Sequence, residues 1–113
     1  MKKFEQEVRD RIENNGQNEG LVTSARAFMK ASTLPKYSYN FSWLGRPIIQ
    51  YPQDMIAMQE LIWSIQPDLI IETGIAHGGS LIFYASLLEL NAACGGPPVL
   101  PALGLRPGRD GER

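Results

Sequence analysis

The sequence predicts an α/β fold, and three observations carry that prediction. Met55, Met58, Ile62 and Ile65 recur at helical spacing up to Pro67, and the aliphatic run Leu69-Ile70-Ile71 follows almost at once. That run ends on Glu72 and a glycine-rich turn, Thr73-Gly74-Ile75-Ala76-His77-Gly78-Gly79-Ser80. Helical spacing then resumes at Leu81, Tyr84, Ala85 and Leu88. Helix, strand, glycine loop and helix in this order form the unit from which open parallel sheets are built. Three consecutive aliphatics, without polar alternation, mark a strand buried on both faces.

The elements before this unit follow from spacing and punctuation. Phe4, Val8 and Ile12 recur every fourth residue among charged positions and predict a short amphipathic helix ending near Asn14-Asn15-Gly16. Leu21, Ala25, Phe28 and Met29 share one face of a second helix, which Ser32-Thr33-Leu34-Pro35 breaks. Residues 37–52 are rich in aromatics but hold no period, so they read as a loop lying across a surface or lining a pocket. Alternatively, Tyr39, Phe41 and Trp43 simply cover the edge of a small core. Pro52-Gln53-Asp54 reads as a helix entry, with Asp54 accepting bonds from free backbone donors. After Asn91 the chain becomes dense in glycine and proline, and no helical or strand pattern is expected there. An open sheet requires a second strand beside the first, reached by a right-handed crossover. No such strand is visible in that tail.

Composition narrows the function. A chain of 113 residues accommodates one small domain. Eleven basic and twelve acidic residues give a net charge of -1, too balanced to gather nucleic acid or an anionic membrane. The single cysteine, Cys94, excludes an internal disulfide and a cysteine metal cluster. The start of the chain lacks the apolar core of a signal peptide, and the longest apolar stretch is too short to span a bilayer. A cytoplasmic location is the expectation.

The chemistry resides in the glycine turn. Where a strand bends sharply into a helix, Gly74 and Gly78 permit the turn and a close approach by ligand. The unpaired amides of the following helix favour a carboxylate or phosphate. Glu72 at the strand end would repel a pyrophosphate but could pair with an ammonium group, which favours a zwitterionic cofactor over a dinucleotide; it could also merely cap nearby amides. Ala76 stands where the dinucleotide fingerprint requires glycine, and no lysine follows Gly79, so neither nucleotide motif is met. His77 has no second histidine and no evident acid beside it, and is read as a loop residue rather than a catalytic base. Ser80 could bind a carboxylate or serve only the backbone. Asp54, Glu60, Asp68 and Glu72 fall in different elements and form no metal cluster.

Two blocks of sequence carry a resemblance: Trp43-Leu44-Gly45-Arg46-Pro47-Ile48-Ile49-Gln50-Tyr51-Pro52-Gln53-Asp54, and Pro67-Asp68-Leu69-Ile70-Ile71-Glu72-Thr73-Gly74-Ile75-Ala76-His77-Gly78-Gly79-Ser80. Together they resemble the cephalosporin hydroxylase family, which is similar to rhamnosyl and other small-molecule O-methyltransferases, over about residues 20–90. The resemblance implies an incomplete Rossmann-like methyltransferase fold with an amino-terminal helical extension and an irregular carboxy-terminal tail. The expected divisions are 1–36, 37–90 and 91–113. It further implies S-adenosylmethionine as cofactor, with Glu72, Gly74, Ala76, Gly78 and Ser80 around its methionine part and His77 beside that pocket. In complete relatives Mg2+ is implied, held by later acids whose positions this chain does not supply. The substrate implied is a hydroxyl of a small molecule, sugar or lipid-linked sugar, with homo-oligomer formation left open. The departure from the family after Leu90 reads as a truncated reading frame, carried out of frame at its end. The competing reading is a noncatalytic α/β module that joins a partner through an incomplete sheet edge. A dinucleotide-dependent oxidoreductase lacks support at the residue level.

Overall fold

A computed structural model describes residues 1–96 of the chain. These residues fall into two compact units, one comprising Met1–Asn40 and the other beginning at Phe41.

The first unit is helical. Helices α1 (Lys2–Gln17) and α2 (Glu19–Thr33) meet at Asn18. The Asn18 carboxamide oxygen accepts from the Leu21 N–H at 3.0 Å and so caps α2. Lys36, in the left-handed region, then turns the chain into a 3₁₀ turn at Tyr37–Tyr39. Phe28 meets Tyr37 edge-on, with ring centroids 5.3 Å apart. No residue of α1 is buried.

The second unit contains the core. Strands β1 (Phe41–Trp43) and β2 (Arg46–Ile48) pair antiparallel, with Phe41 opposite Ile48 and Trp43 opposite Arg46. Leu44 and Gly45 connect them, both at positive φ (47° and 79°), as the twist of a two-residue hairpin requires. Leucine is poorly suited to that region, and Leu44 is exposed. Leu44→Asn is therefore expected to stabilise the chain by about 1 kcal/mol, read as a raised denaturation midpoint.

Helix α3 (Pro52–Ile65) begins with proline in its first turn and ends at Gln66, whose left-handed backbone donates to the Ile62 carbonyl at 2.9 Å before Pro67. Asp54 sits within the first turn, and no side chain caps this helix. Helix α4 (Gly79–Ala93) closes with a Schellman motif: Gly95 adopts φ 89°, its N–H bonds Ala92 O at 3.1 Å, and the Gly96 N–H bonds Asn91 O at 2.8 Å. The helix thus runs beyond the point where the tail was expected to lose its pattern, and Gly95-Gly96 is its terminator. Residues 97–113, where the rest of that expectation falls, lie outside the described residues.

Ile48, Ile62, Phe83 and Leu87 form the core, flanked by Phe41, Trp43, Met55, Met58, Ile70 and Tyr84. Trp43 packs edge-on against Phe83 at 4.8 Å, and its indole N–H donates to Ser86 Oγ at 2.9 Å. Buried Asn91 extends from α4 to the Ile62 carbonyl at 3.3 Å. The buried face of α4 is therefore Gly79, Phe83, Leu87 and Asn91, one helical turn apart each, with Leu81 exposed.

This architecture corrects the expected α/β class. Among the described residues the unit is mostly helical, its only sheet is the β1–β2 hairpin, and no Rossmann-like parallel core forms. Residues 69–72 enter no backbone ladder, and Ile71 is 82% exposed. An aliphatic run encodes a demand for burial; a strand exists only where a neighbour supplies the hydrogen bonds. The aromatic-rich loop is corrected in turn. Its central part is the hairpin, with Phe41 and Trp43 packed on the core and Tyr39 exposed.

Candidate functional site

The glycine turn builds the candidate site. Gly74 and Ala76 both take positive φ (75° and 47°), and the Gly78 N–H closes the turn on the Ile75 carbonyl at 2.8 Å. Gly78, at φ 80°, is the N-cap of α4 and offers no capping side chain, so the first-turn amides of that helix lack a side-chain acceptor. Gly79 must be glycine for a packing reason. A Cβ there would overlap the Pro47 carbonyl and come within 2.8 Å of Ile48 Cα. The start of α4 therefore rests directly on β2.

Between them lies a cavity of about 330 Å³. Glu72, Gly74, Ile75, Ala76, His77, Gly79 and Ser80 form one wall, and residues 47–50 form the other. Glu72, Gly74, Ala76, His77 and Ser80 thus meet at one concavity. Gly78 adjoins it without lining it, and His77 is exposed. Residues 47–50 had no individual signal in the sequence beyond the general one of a pocket-lining segment. The packing role of Gly79 had none, because it depends on a backbone distant in sequence.

Glu72 is the polar centre of the cavity. The Ser80 hydroxyl donates to Glu72 Oε1, so it serves the carboxylate across the turn rather than the backbone. Glu72 Oε2 is buried and has no hydrogen-bond partner among the described residues. A buried carboxylate oxygen without a donor is costly. A hydrogen-bond donor brought to that oxygen would satisfy it. Tyr84, one turn further along α4, has its hydroxyl pKa raised, first by burial and then by the negative charge of Glu72.

Sign matters here. The unfolded chain would lose the Tyr84 proton first, so this contribution to stability is intact below about pH 10 and is lost as pH rises through the folded value. Tyr84→Phe is expected to flatten the alkaline fall in stability and to remove the latest-ionising component from an ultraviolet titration of tyrosinate.

Arg46, at the start of β2, approaches the same turn, with Nη1 4.0 Å from where a Cβ on Gly78 would stand. Among the described residues no group of three histidine, cysteine, aspartate or glutamate side chains gathers to hold a metal ion. The described residues therefore do not themselves gather the ligand set that the resemblance implies for Mg2+. Among them, too, no helix is long and apolar enough to cross a membrane.

Over 47 residues, 42% of this chain, the sequence is 34% identical to a rhamnosyl O-methyltransferase of Mycobacterium leprae (strain TN). The match covers 20% of that protein, so the chain spans about a fifth of the relative's length. No solved structure matches significantly. The family match begins at residue 35 and continues to residue 100, starting later than the expected resemblance and running past Leu90, where that resemblance was expected to stop. Covering the hairpin, the glycine turn and both core helices, it places the chain in the rhamnosyl O-methyltransferase/CmcI family.

Proposed function

We propose that the cavity beside the glycine turn receives the methionine end of S-adenosylmethionine, and that the complete protein transfers its methyl group to a hydroxyl of a small molecule, sugar or lipid-linked sugar. The observation that carries this reading is Glu72, a residue of the cavity wall that accepts from Ser80 through Oε1 and holds Oε2 buried without a partner among the described residues. A carboxylate so placed faces a cationic group. Family membership makes the sulfonium amino acid the ligand of choice.

The parts played by the chain follow from its geometry. Gly74 and Gly78 shape a turn that a ligand can approach closely. The uncapped first turn of α4 offers amide donors to a carboxylate. Ser80 fixes the Glu72 carboxylate, so that its free oxygen is oriented before ligand arrives. When bound, the cofactor supplies the methyl group. Orientation of the acceptor oxygen falls to residues beyond those described here.

Calorimetric titration with S-adenosylmethionine tests the reading, on this chain and on a form extended over the remaining length of the relative. Binding by the extended form is expected; failure of both forms to bind would refute the assignment.

A second reading, a noncatalytic module that joins a partner, has its own observation. Leu69 and Ile71 are exposed, and with Ile65, Leu61 and Met58 they line an apolar groove of about 430 Å³. Size-exclusion chromatography over a range of concentrations discriminates, since a stable monomer at all concentrations counts against it.

A further inference from the structure

Arg46 stands where the hairpin meets the glycine turn. Its Nη1 lies 4.0 Å from the position a Gly78 Cβ would occupy, so the guanidinium rests in van der Waals reach of the turn that starts α4. Among the described residues Arg46 forms no ion pair. Its neighbour Pro47 lines the cavity, as does Gly79 beside Gly78. Among the described residues, then, one wall of the cavity carries Glu72 with an oxygen unpartnered, and the residue before the opposite wall residue Pro47 is an arginine without an ion pair.

Two opposite charges flanking one helix start complement a ligand that carries both charges on adjacent atoms. We infer that Arg46 is a specificity-determining residue: its guanidinium receives the α-carboxylate of the ligand's amino-acid moiety, while Glu72 faces the α-ammonium. The inference rests on the reading of the cavity as a site for the methionine end of S-adenosylmethionine, and adds the residue that distinguishes an amino acid from a simple amine. Arginine suits the task because its planar fork pairs with both carboxylate oxygens, whereas lysine offers one point charge.

The test compares two probes, S-adenosylmethionine and its decarboxylated analogue, by calorimetry on the unmodified chain, Arg46→Gln and Arg46→Lys. Arg46→Gln is expected to weaken the carboxylate-bearing probe about tenfold or more and to leave the decarboxylated one within about twofold. Arg46→Lys should fall between. Equal weakening of both probes, or of neither, overturns the inference while leaving the cavity assignment in place. If neither the unmodified chain nor its extended form binds either probe, the cavity assignment fails and the inference with it; where only the extended form binds, the same variants are compared in that form. Should Arg46→Gln lose its helical circular dichroism, a salt series on the unmodified chain decides. Added salt should erode the preference for the carboxylate-bearing probe, and a salt-independent preference overturns the inference.

Discussion

Replacing Gly79 with alanine is expected to lower the stability of the unit beginning at Phe41 by about 2 kcal/mol and to abolish ligand binding in the adjoining cavity. In an ordinary helix this change would stabilise, because alanine is the better helix former. Here the added methyl meets backbone on the hairpin, the Pro47 carbonyl and Ile48 Cα, and backbone cannot rotate aside. The first turn of α4 must lift from β2, and the two walls of the cavity separate with it. Both tryptophans of the chain, Trp43 and Trp63, belong to this unit, so fluorescence-monitored urea unfolding reports on it directly. Gly16→Ala provides the opposite sign as a control. Nothing lies within 4 Å of its added methyl inside α1, and a gain of about 0.5–1 kcal/mol in that helix is expected. Equal stability of Gly79→Ala and the unmodified chain would contradict the close seat of α4 on the hairpin.

Glu72→Gln is expected to move stability and affinity in opposite directions. Without ligand, the buried Oε2 of Glu72 finds no donor among the described residues. A neutral amide of the same shape still accepts from Ser80 and reduces the desolvation cost, so the free chain should gain about 1 kcal/mol. Binding of S-adenosylmethionine should weaken about a hundredfold, because the partner of its ammonium group has lost its charge. A group retained for folding would lose stability on substitution; one retained for a ligand behaves in the opposite way. The same substitution should lower the raised Tyr84 pKa by removing the lesser of its two causes. Denaturation midpoints and calorimetry on one preparation measure both effects.

Part of this molecule could be read from its residues because the governing forces are local. The spacing of Met55, Met58 and Ile62 and the stops at Pro52 and Pro67 define α3, and the shared face of Leu21, Ala25, Phe28 and Met29 marks α2. The glycines of the turn announce positive φ, which Gly74 and Gly78 adopt. What eluded the sequence depends on distant neighbours. Leu69, Ile70 and Ile71 have the composition of a buried strand, yet no ladder partner accompanies them among the described residues. The hairpin eluded it because three-residue strands carry too little alternation to register, and its turn uses Leu44-Gly45 in place of the Asn-Gly that usually signals such a turn. Gly95-Gly96 resembled the start of an irregular tail because a helix terminator and a flexible segment share the same residue.

The candidate site divides in the same way. Glu72, Gly74, Ala76, His77 and Ser80 are adjacent in sequence, and the turn that gathers them is local. The opposite wall, residues 47–50, and the approach of Arg46 to Gly78 exist only because Gly79 allows α4 to touch β2.

A titration of the 15N-labelled protein, in the form extended over the relative's length, with S-adenosylmethionine, followed by amide chemical shifts, tests the central claim most directly. Saturable shifts concentrated at Glu72, Gly74, Gly78, Gly79 and Ser80, with α1 unmoved, are the predicted result. Saturable shifts confined to residues of α1 and α2, or none at the glycine turn at saturating ligand, would contradict the account.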